Sequence, residues 1–230
     1  MRPLKKAKKK NNRLPANERR EAIIHSSLRA FARKNYMRVT TRELAQEAGL
    51  SEPALYKYFD GKRDLFITLI EYIGARMIER WREIAAESPD PLTALRDIGV
   101  HHFQRVLHDR DYTRVMFQAI SEVSDPEIQS AVERVYSSFV QYISGLVRRA
   151  SREGQIVTGI DVRMVAWHFL SLGFTLNLIG LLGLDRDFVA TNLDGWGMPL
   201  FAYLKGEKLV PGAVPSWPKG EKQWEHQQSK

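Results

Sequence analysis

Apolar residues recur three or four positions apart along most of the chain, and no segment shows the strict alternation of a half-buried strand. This pattern predicts an all-α protein. Breaks rich in Asp, Gly and Pro separate the periodic segments. A long helix is predicted to begin near Lys62, and further helices are predicted at residues 17–34, 92–108, 112–122, 126–153, 161–182 and 187–204.

The stretch from Thr40 to Phe66 has the most specific local signals of the chain. Thr40 and Glu43 have the spacing of a capping box, in which each side chain bonds the other residue's backbone N–H. Gly49 stands where a helix needs a left-handed residue to end. Ser51 can then cap a second short helix, and Pro53 suits its first turn.

Leu55 and Phe59 lie four residues apart, so both are predicted to face the core of this unit. The rest of the short helix then presents small, aromatic and basic side chains to the outside. A helix with an apolar back and such a front suits insertion into the major groove of DNA. The pattern alone equally fits an ordinary helical hairpin in a bundle.

The particular residues favour DNA binding. The segment resembles the N-terminal domain of the tetracycline-repressor (TetR) family of bacterial regulators over roughly the first third of the chain. The matching residues are Phe31, Thr40, Thr41, Leu44, Ala45, Ala48, Gly49, Leu50, Ser51, Leu55, Tyr56, Tyr58, Phe59, Lys62, Leu65 and Phe66. Gly61 departs from the family, which usually has Ser or Asn at this helix start.

The resemblance implies a three-helix, helix-turn-helix DNA-binding domain followed by a larger helical domain for effector binding and dimerisation. The expected DNA-binding domain spans residues 17–63, and the expected effector and dimerisation domain spans residues 64–205. The long helix that begins near Lys62 is expected to link them mechanically. A basic disordered arm at 1–16 and a polar, Pro-rich tail at 206–230 flank these domains.

Charge supports this division. Seven of the 35 basic residues lie within the first 13 positions, where no acidic residue occurs, and the net charge of the chain is +8. The arm is either a solvated tail or an extension that follows DNA phosphates or enters a minor groove. The chain has no cysteine, which fits a reducing cytoplasm, and we expect a cytoplasmic protein.

The DNA-contacting residues are predicted from the helix-turn-helix itself. The small face of the short helix, with Tyr56 and Lys57, should meet base edges, whereas helix ends and Tyr58 should hold phosphates. Glu52 either accepts a bond from a base or caps its helix. The predicted contacts are Thr40, Thr41, Arg42, Ser51, Glu52, Pro53, Ala54, Tyr56, Lys57, Tyr58 and Lys62.

Aromatic residues concentrate in the middle helices of the second domain, where members of the resembled family commonly hold an effector. Such residues either line an apolar pocket or are plain core. The predicted ligand-binding residues are His102, Phe103, Met116, Phe117, Tyr136, Phe139, Tyr142, Trp167 and Phe174. The scattered histidines have no metal-site spacing, so neither a metal nor another cofactor is predicted.

Residues 164–184 contain no charged side chain over a length that could span a bilayer. Polar residues and three glycines interrupt this segment, and the chain offers no second span, so a buried helix is the preferred interpretation. In the resembled family the last two long helices pair with their copies in a dimer. The predicted dimer-interface residues are Ser171, Thr175, Leu178, Leu193, Trp196 and Leu200.

The prediction is therefore a homodimeric repressor that binds a near-palindromic DNA operator and is released by a small apolar or aromatic effector. The alternative is a DNA-binding protein controlled by a protein partner. An enzyme on a helical scaffold is disfavoured, because the sequence has no phosphate-binding glycine loop and no credible catalytic triad. No membrane association is expected.

Overall fold

The computed structural model describes residues 15–108, 110–184 and 193–208. In these ranges the chain forms nine α-helices and one 3-10 helix, and no strand, so the predicted all-α class is confirmed. The α-helices are α1 (Ala16–Arg33), α2 (Thr41–Glu47), α3 (Glu52–Leu55), α4 (Lys62–Glu87), α5 (Pro91–His108), α6 (Asp111–Ser121), α7 (Pro126–Arg152), α8 (Val162–Leu182) and α9 (Leu193–Lys205). The 3-10 helix spans Tyr36–Arg38.

Most helix ends lie within one or two residues of the predicted positions, because local signals mark them. The carboxylates of Asp125 and Asp161 accept backbone N–H bonds at the starts of α7 and α8, and Gly183 ends α8 with a left-handed φ of 73°. The start of α1 differs from prediction. Pro15 occupies the N-cap position and no side chain caps the helix, which begins at Ala16 and not at the predicted residue 17.

The chain divides into two compact units, residues 1–69 and 70–230, and the division falls within α4. The predicted arm, apart from residues 15 and 16, and the predicted tail from residue 209 onward lie outside the described residues.

The core of the first unit combines residues from α1, α2, α3 and the start of α4. Phe31, Leu44, Leu55 and Phe66 are fully buried. The rings of Phe31 and Phe66 have centroids 4.9 Å apart. This small core fixes α3 through its apolar back and leaves the opposite side of α3 at the surface.

In the second unit α8 packs against α5 and α7. Gly180 allows a close approach of α5 and α8, because a Cβ atom at this position would lie 2.7 Å from a methyl group of Val106. Residues of α4, α5, α6, α7, α8 and α9 line the cavity of this unit.

Candidate functional site

The capping box predicted at the start of α2 is present. Thr40 N–H donates to a Glu43 carboxylate oxygen at 3.0 Å, and Glu43 N–H donates to the Thr40 hydroxyl at 3.2 Å. Lys34 also donates to Glu43, and this bond is the main reason why the pKa of Glu43 falls to about 2, followed by the bond from Thr40 N–H. Glu43 therefore stays ionised at neutral pH and keeps the box closed.

The turn between α2 and α3 forms as its residues predict. Gly49 has φ of 65°, and Leu50 N–H donates to the carbonyl of Ala45 at 2.8 Å, which closes the end of α2. Ser51 is the N-cap residue of α3 by backbone conformation, but its side chain makes no capping bond. The Ser51 side chain is exposed.

Helix α3 separates a buried side from an exposed one. Leu55 and Phe59 are 0% and 2% exposed, whereas Tyr56 is 51% exposed and Lys57 is also exposed. Backbone bonds from Tyr58 and Phe59 to Leu55 continue the helical turn beyond the last α3 residue. The outer face of this segment thus offers an aromatic hydroxyl and an ammonium group, which can bond DNA bases or phosphates.

Besides Thr40, which bonds Glu43 in the capping box, three predicted DNA contacts already have partners within the unit. The Thr41 hydroxyl donates to the Glu52 carboxylate and so joins α2 to α3. Lys62 Nζ donates to the carbonyl of Tyr36 at 3.0 Å and lies 4.6 Å from the centre of its ring. Glu52 and Lys62 therefore help to fix the motif, and direct DNA contacts by them remain predictions.

The eleven predicted DNA contacts all belong to the first unit. Those whose side chains are exposed are Thr40, Arg42, Ser51, Pro53, Tyr56 and Lys57. Those that are half-buried are Thr41, Glu52, Ala54, Tyr58 and Lys62.

The second unit contains a cavity of about 520 Å³. Six of the nine predicted ligand-binding residues line it, namely His102, Met116, Phe117, Tyr136, Phe139 and Phe174. The rings of Phe117 and Phe174 stack with centroids 5.0 Å apart. Ile73, Met77 and Trp81 of α4 add to the lining.

Three predicted ligand residues do not line the cavity. Phe103 is buried but on another side of α5, since its neighbour His102 takes the cavity side. Tyr142 packs against Trp81 instead, with ring centroids 5.8 Å apart. Trp167 is 47% exposed on the outer face of α8, so all three assignments are corrected.

His102 is the unusual polar residue of the cavity. Both of its ring nitrogens are closed off from solvent, and neither meets hydrogen-bond geometry with any group in the described ranges. Burial is the main cause that lowers the pKa of His102 to about 4, and the charge of Arg105 adds to it. The Asn177 side chain and the Gly173 backbone favour the protonated imidazole and so act to raise its pKa, but burial has the larger effect.

Sequence reasoning missed the polar residues that accompany His102. Arg105, Tyr112, Thr113 and Asn177 also line the cavity. The guanidinium of Arg105 lies 5.3 Å from the centre of the Tyr112 ring. Arg105 follows His102 by one helical turn, which is the only sequence signal that could have linked them.

Basic side chains outnumber acidic ones around this cavity. Arg96, Arg105 and Lys205 are basic, and none of the described residues that line the cavity is acidic. Arg96 pairs with Asp97 at 3.1 Å and Lys205 lies 3.8 Å from Glu207, so their charges are partly offset. The remaining balance favours a neutral or anionic ligand over a cationic one.

The exposed face of α8 contains part of the predicted dimer interface. Ser171 and Thr175 are exposed, and Leu178 is 39% exposed. Further apolar side chains at the surface of this helix are Met164, Trp167, Phe174 and Leu182. Leu200 is a correction, because it is only 8% exposed and packs within its own chain.

The side chains of Leu193 and Trp196 lie outside the described part of the structure. In the described ranges α8 is the one helix that is long and apolar enough to cross a membrane. Only 28% of its most apolar window is buried within this chain, where it packs against α5 and α7, so the predicted buried helix is not found in the single chain. In the described ranges no group of three or more His, Asp or Glu could hold a metal ion.

Residues 23–69 match the family model of "Bacterial regulatory proteins, tetR family". The chain is 25% identical over 190 residues to the HTH-type transcriptional activator FasR of Mycolicibacterium smegmatis, which covers 82% of this chain and 86% of that protein. It is 27% identical over 157 residues to the nucleoid occlusion factor SlmA of Haemophilus influenzae, which covers 67% and 72%.

The crystal structure of the transcriptional regulator FadR from Bacillus subtilis in complex with stearoyl-CoA has the same fold. Its TM-score is 0.69 at 20% identity, over 82% of this chain and 99% of that one. An exposed recognition helix held by a capped turn, with a cavity-containing helical unit after it, defines a DNA-binding transcriptional regulator. The segment 23–69 therefore belongs to the tetR family of bacterial regulatory proteins, and the chain as a whole is similar to transcriptional regulators.

Proposed function

We propose that this protein is a homodimeric transcriptional repressor that binds a near-palindromic operator and is released by an amphipathic ligand with a long apolar part. The cavity of the second unit carries the proposal. Its volume of about 520 Å³ lies in the range of small-molecule sites, and aromatic and aliphatic side chains dominate its lining. This refines the expected apolar or aromatic effector to a molecule that also has a polar end.

An acyl group attached to an anionic head is the ligand class that fits best. The lining has basic but no acidic residues in its described part. The structural neighbour FadR was crystallised with stearoyl-CoA, which combines a long acyl chain with phosphates. Release of DNA requires that the ligand favours one of two global arrangements, and α4 is suited to respond because Met77 and Trp81 border the cavity.

A second copy of the chain is the proposed partner of the exposed α8 face. Met164, Trp167, Leu178 and Leu182 are each at least 39% exposed on one helix, and large exposed apolar patches mark interaction sites. A two-fold dimer covers the face on both copies at once. It also places two recognition helices to read half-sites about 34–36 Å apart on DNA. The protein is proposed to act in the cytoplasm, without membrane attachment.

The test begins with selection of bound duplexes from a random DNA pool. The selected operator is then titrated with protein in the presence of palmitic acid, palmitoyl-CoA or CoA alone. We expect a near-palindromic operator, release by at least one acyl ligand and no release by CoA. Specific DNA binding that no acyl ligand changes would favour control by a protein partner, and tighter binding with ligand would exclude repression relieved by it.

A further inference from the structure

His102 lies where α5 and α8 face each other across the cavity. A Cβ atom at Gly173 would lie 3.6 Å from Cδ2 and Nε2 of His102, so the imidazole rests against the backbone of α8. One turn later on α8, Asn177 accepts a bond from the Thr113 hydroxyl at 3.4 Å. His102, Thr113 and Asn177 thus form a polar subsite within a lining that is otherwise largely apolar.

The subsite is incomplete in the protein alone. Buried polar atoms in native proteins almost always have a hydrogen-bond partner, so an exception requires an explanation. His102 has two ring nitrogens that are shielded from solvent and lack a partner within the described ranges. Since its side chain borders the cavity, a rotation of the imidazole brings a ring nitrogen within reach of a ligand atom.

The chemistry of the subsite indicates which atom this is. Neutral imidazole has one N–H donor and one acceptor nitrogen. The Asn177 carbonyl oxygen accepts from Thr113, and its NH₂ group adds two donors to the subsite. Arg105, one turn after His102, brings positive charge to the same side of α5. The available groups are mainly donors, and they fit an oxygen acceptor.

We propose that His102 and Asn177 bind the carbonyl or carboxylate oxygen of an acyl ligand inside the cavity. The inference rests on the proposed function, because it assumes that an acyl ligand enters this cavity. It adds that the polar end of the acyl group is read within the protein and not at the surface. The apolar chain then occupies the space beside Phe117, Phe139 and Phe174.

The experiment compares ligands that differ by this oxygen. Palmitoyl-CoA has a thioester carbonyl, whereas S-hexadecyl-CoA is a thioether of similar length without it. Palmitic acid and hexadecanol form the second pair and test a free carboxylate. Dissociation constants are measured by calorimetry for the wild type, His102→Phe and His102→Gln. Phe keeps a planar aromatic ring, slightly larger than imidazole, and removes both nitrogens, whereas Gln restores a donor.

We expect the wild type to bind palmitoyl-CoA, palmitic acid or both about fivefold more tightly than the matched analogue without the carbonyl oxygen. A factor of this size corresponds to one hydrogen bond. His102→Phe should bring that ratio close to one, and His102→Gln should recover part of it. The pair that loses its ratio identifies the source of the oxygen as thioester or carboxylate. His101→Phe is the matched control, because His101 instead accepts from Arg80 Nε at 2.9 Å.

Failure of the inference is distinct from failure of the proposed function. A wild type that binds no acyl ligand would refute the proposed function. Equal binding of both members of each pair by the wild type would refute only the oxygen subsite. This comparison uses the wild type alone, so it does not depend on whether the variants fold. Ratios that persist in a folded His102→Phe variant, checked by circular dichroism and thermal unfolding, would refute the role of His102.

Discussion

Glu43 in the first unit and His102 in the second are both polar side chains at functional positions, but their surroundings are opposite. Glu43 accepts bonds from Lys34 and from Thr40, whereas both nitrogens of His102 lack a partner in the described structure. In the first unit the bonds of Glu43 hold the helix-turn-helix in place before DNA binds. In the second unit the proposed ligand supplies the partner that His102 lacks, so binding can favour one arrangement of the protein over another.

The largest expected effect contrasts the aromatic packing of the two units. Phe31→Ala should lower the free energy of unfolding by about 3 to 5 kcal/mol, because Phe31 is fully buried against Phe66. Phe117→Ala should cost only about 1 kcal/mol, since the ring borders an existing cavity and mainly loses its stacking on Phe174. Urea unfolding measures both. Equal losses would mean that the cavity side is packed as tightly as the core.

The second prediction concerns pH. The pKa of His102 is about 4 in the folded chain, against an ordinary value of 6.5 that applies to the unfolded chain. As the pH falls, the unfolded state therefore binds the proton first. The contribution of His102 to stability is therefore complete above pH 6.5 and is lost as the pH falls toward 4. Between pH 7 and pH 5 the loss should be about 2 kcal/mol.

His102→Gln should remove this part of the pH dependence. Unfolding is measured at both pH values for the wild type and the variant, and His101 remains in both proteins as an internal control. An unchanged difference between the two pH values in the variant would show that His102 is not buried as the structure has it.

The third prediction tests the roles assigned on α3. Lys57→Ala should change which DNA sequence binds best, with a cost of about 1 to 3 kcal/mol at the base it reads, because Lys57 is exposed on the outer face. Tyr58→Phe is the comparison and should weaken all sequences similarly, as a phosphate contact would. Binding of each variant to a library of operator sequences measures both effects. A sequence ranking that Lys57→Ala leaves intact would contradict the assignment.

The smallest expected effects distinguish two helix starts in the first unit. Thr40→Ala should lower the free energy of unfolding by about 1 kcal/mol, because it opens the capping box. Ser51→Ala should change it by less than about 0.5 kcal/mol, since the Ser51 side chain makes no capping bond. A larger loss for Ser51 than for Thr40, again from urea unfolding, would reverse the assignment of the two caps.

The sequence by itself determined the helix-turn-helix, because its signals act within a few residues. Thr40 and Glu43 bond each other across one turn, and Gly49 takes a backbone conformation that other residues rarely adopt. The four-residue spacing of Leu55 and Phe59 placed both in the core. A local hydrogen bond or a backbone angle needs no knowledge of distant parts of the chain.

Only the tertiary structure decided which residues of the second unit form the cavity. His101 and His102 are adjacent and chemically identical, yet one bonds Arg80 and the other borders the cavity. Phe174 and Trp167 lie two turns apart on α8 and are exposed to similar extents, yet only Phe174 lines the cavity. An apolar pattern around a whole helix does not show which side meets which neighbour. That choice depends on contacts between helices that are distant in sequence, such as the close approach of Gly180 on α8 to Val106 on α5.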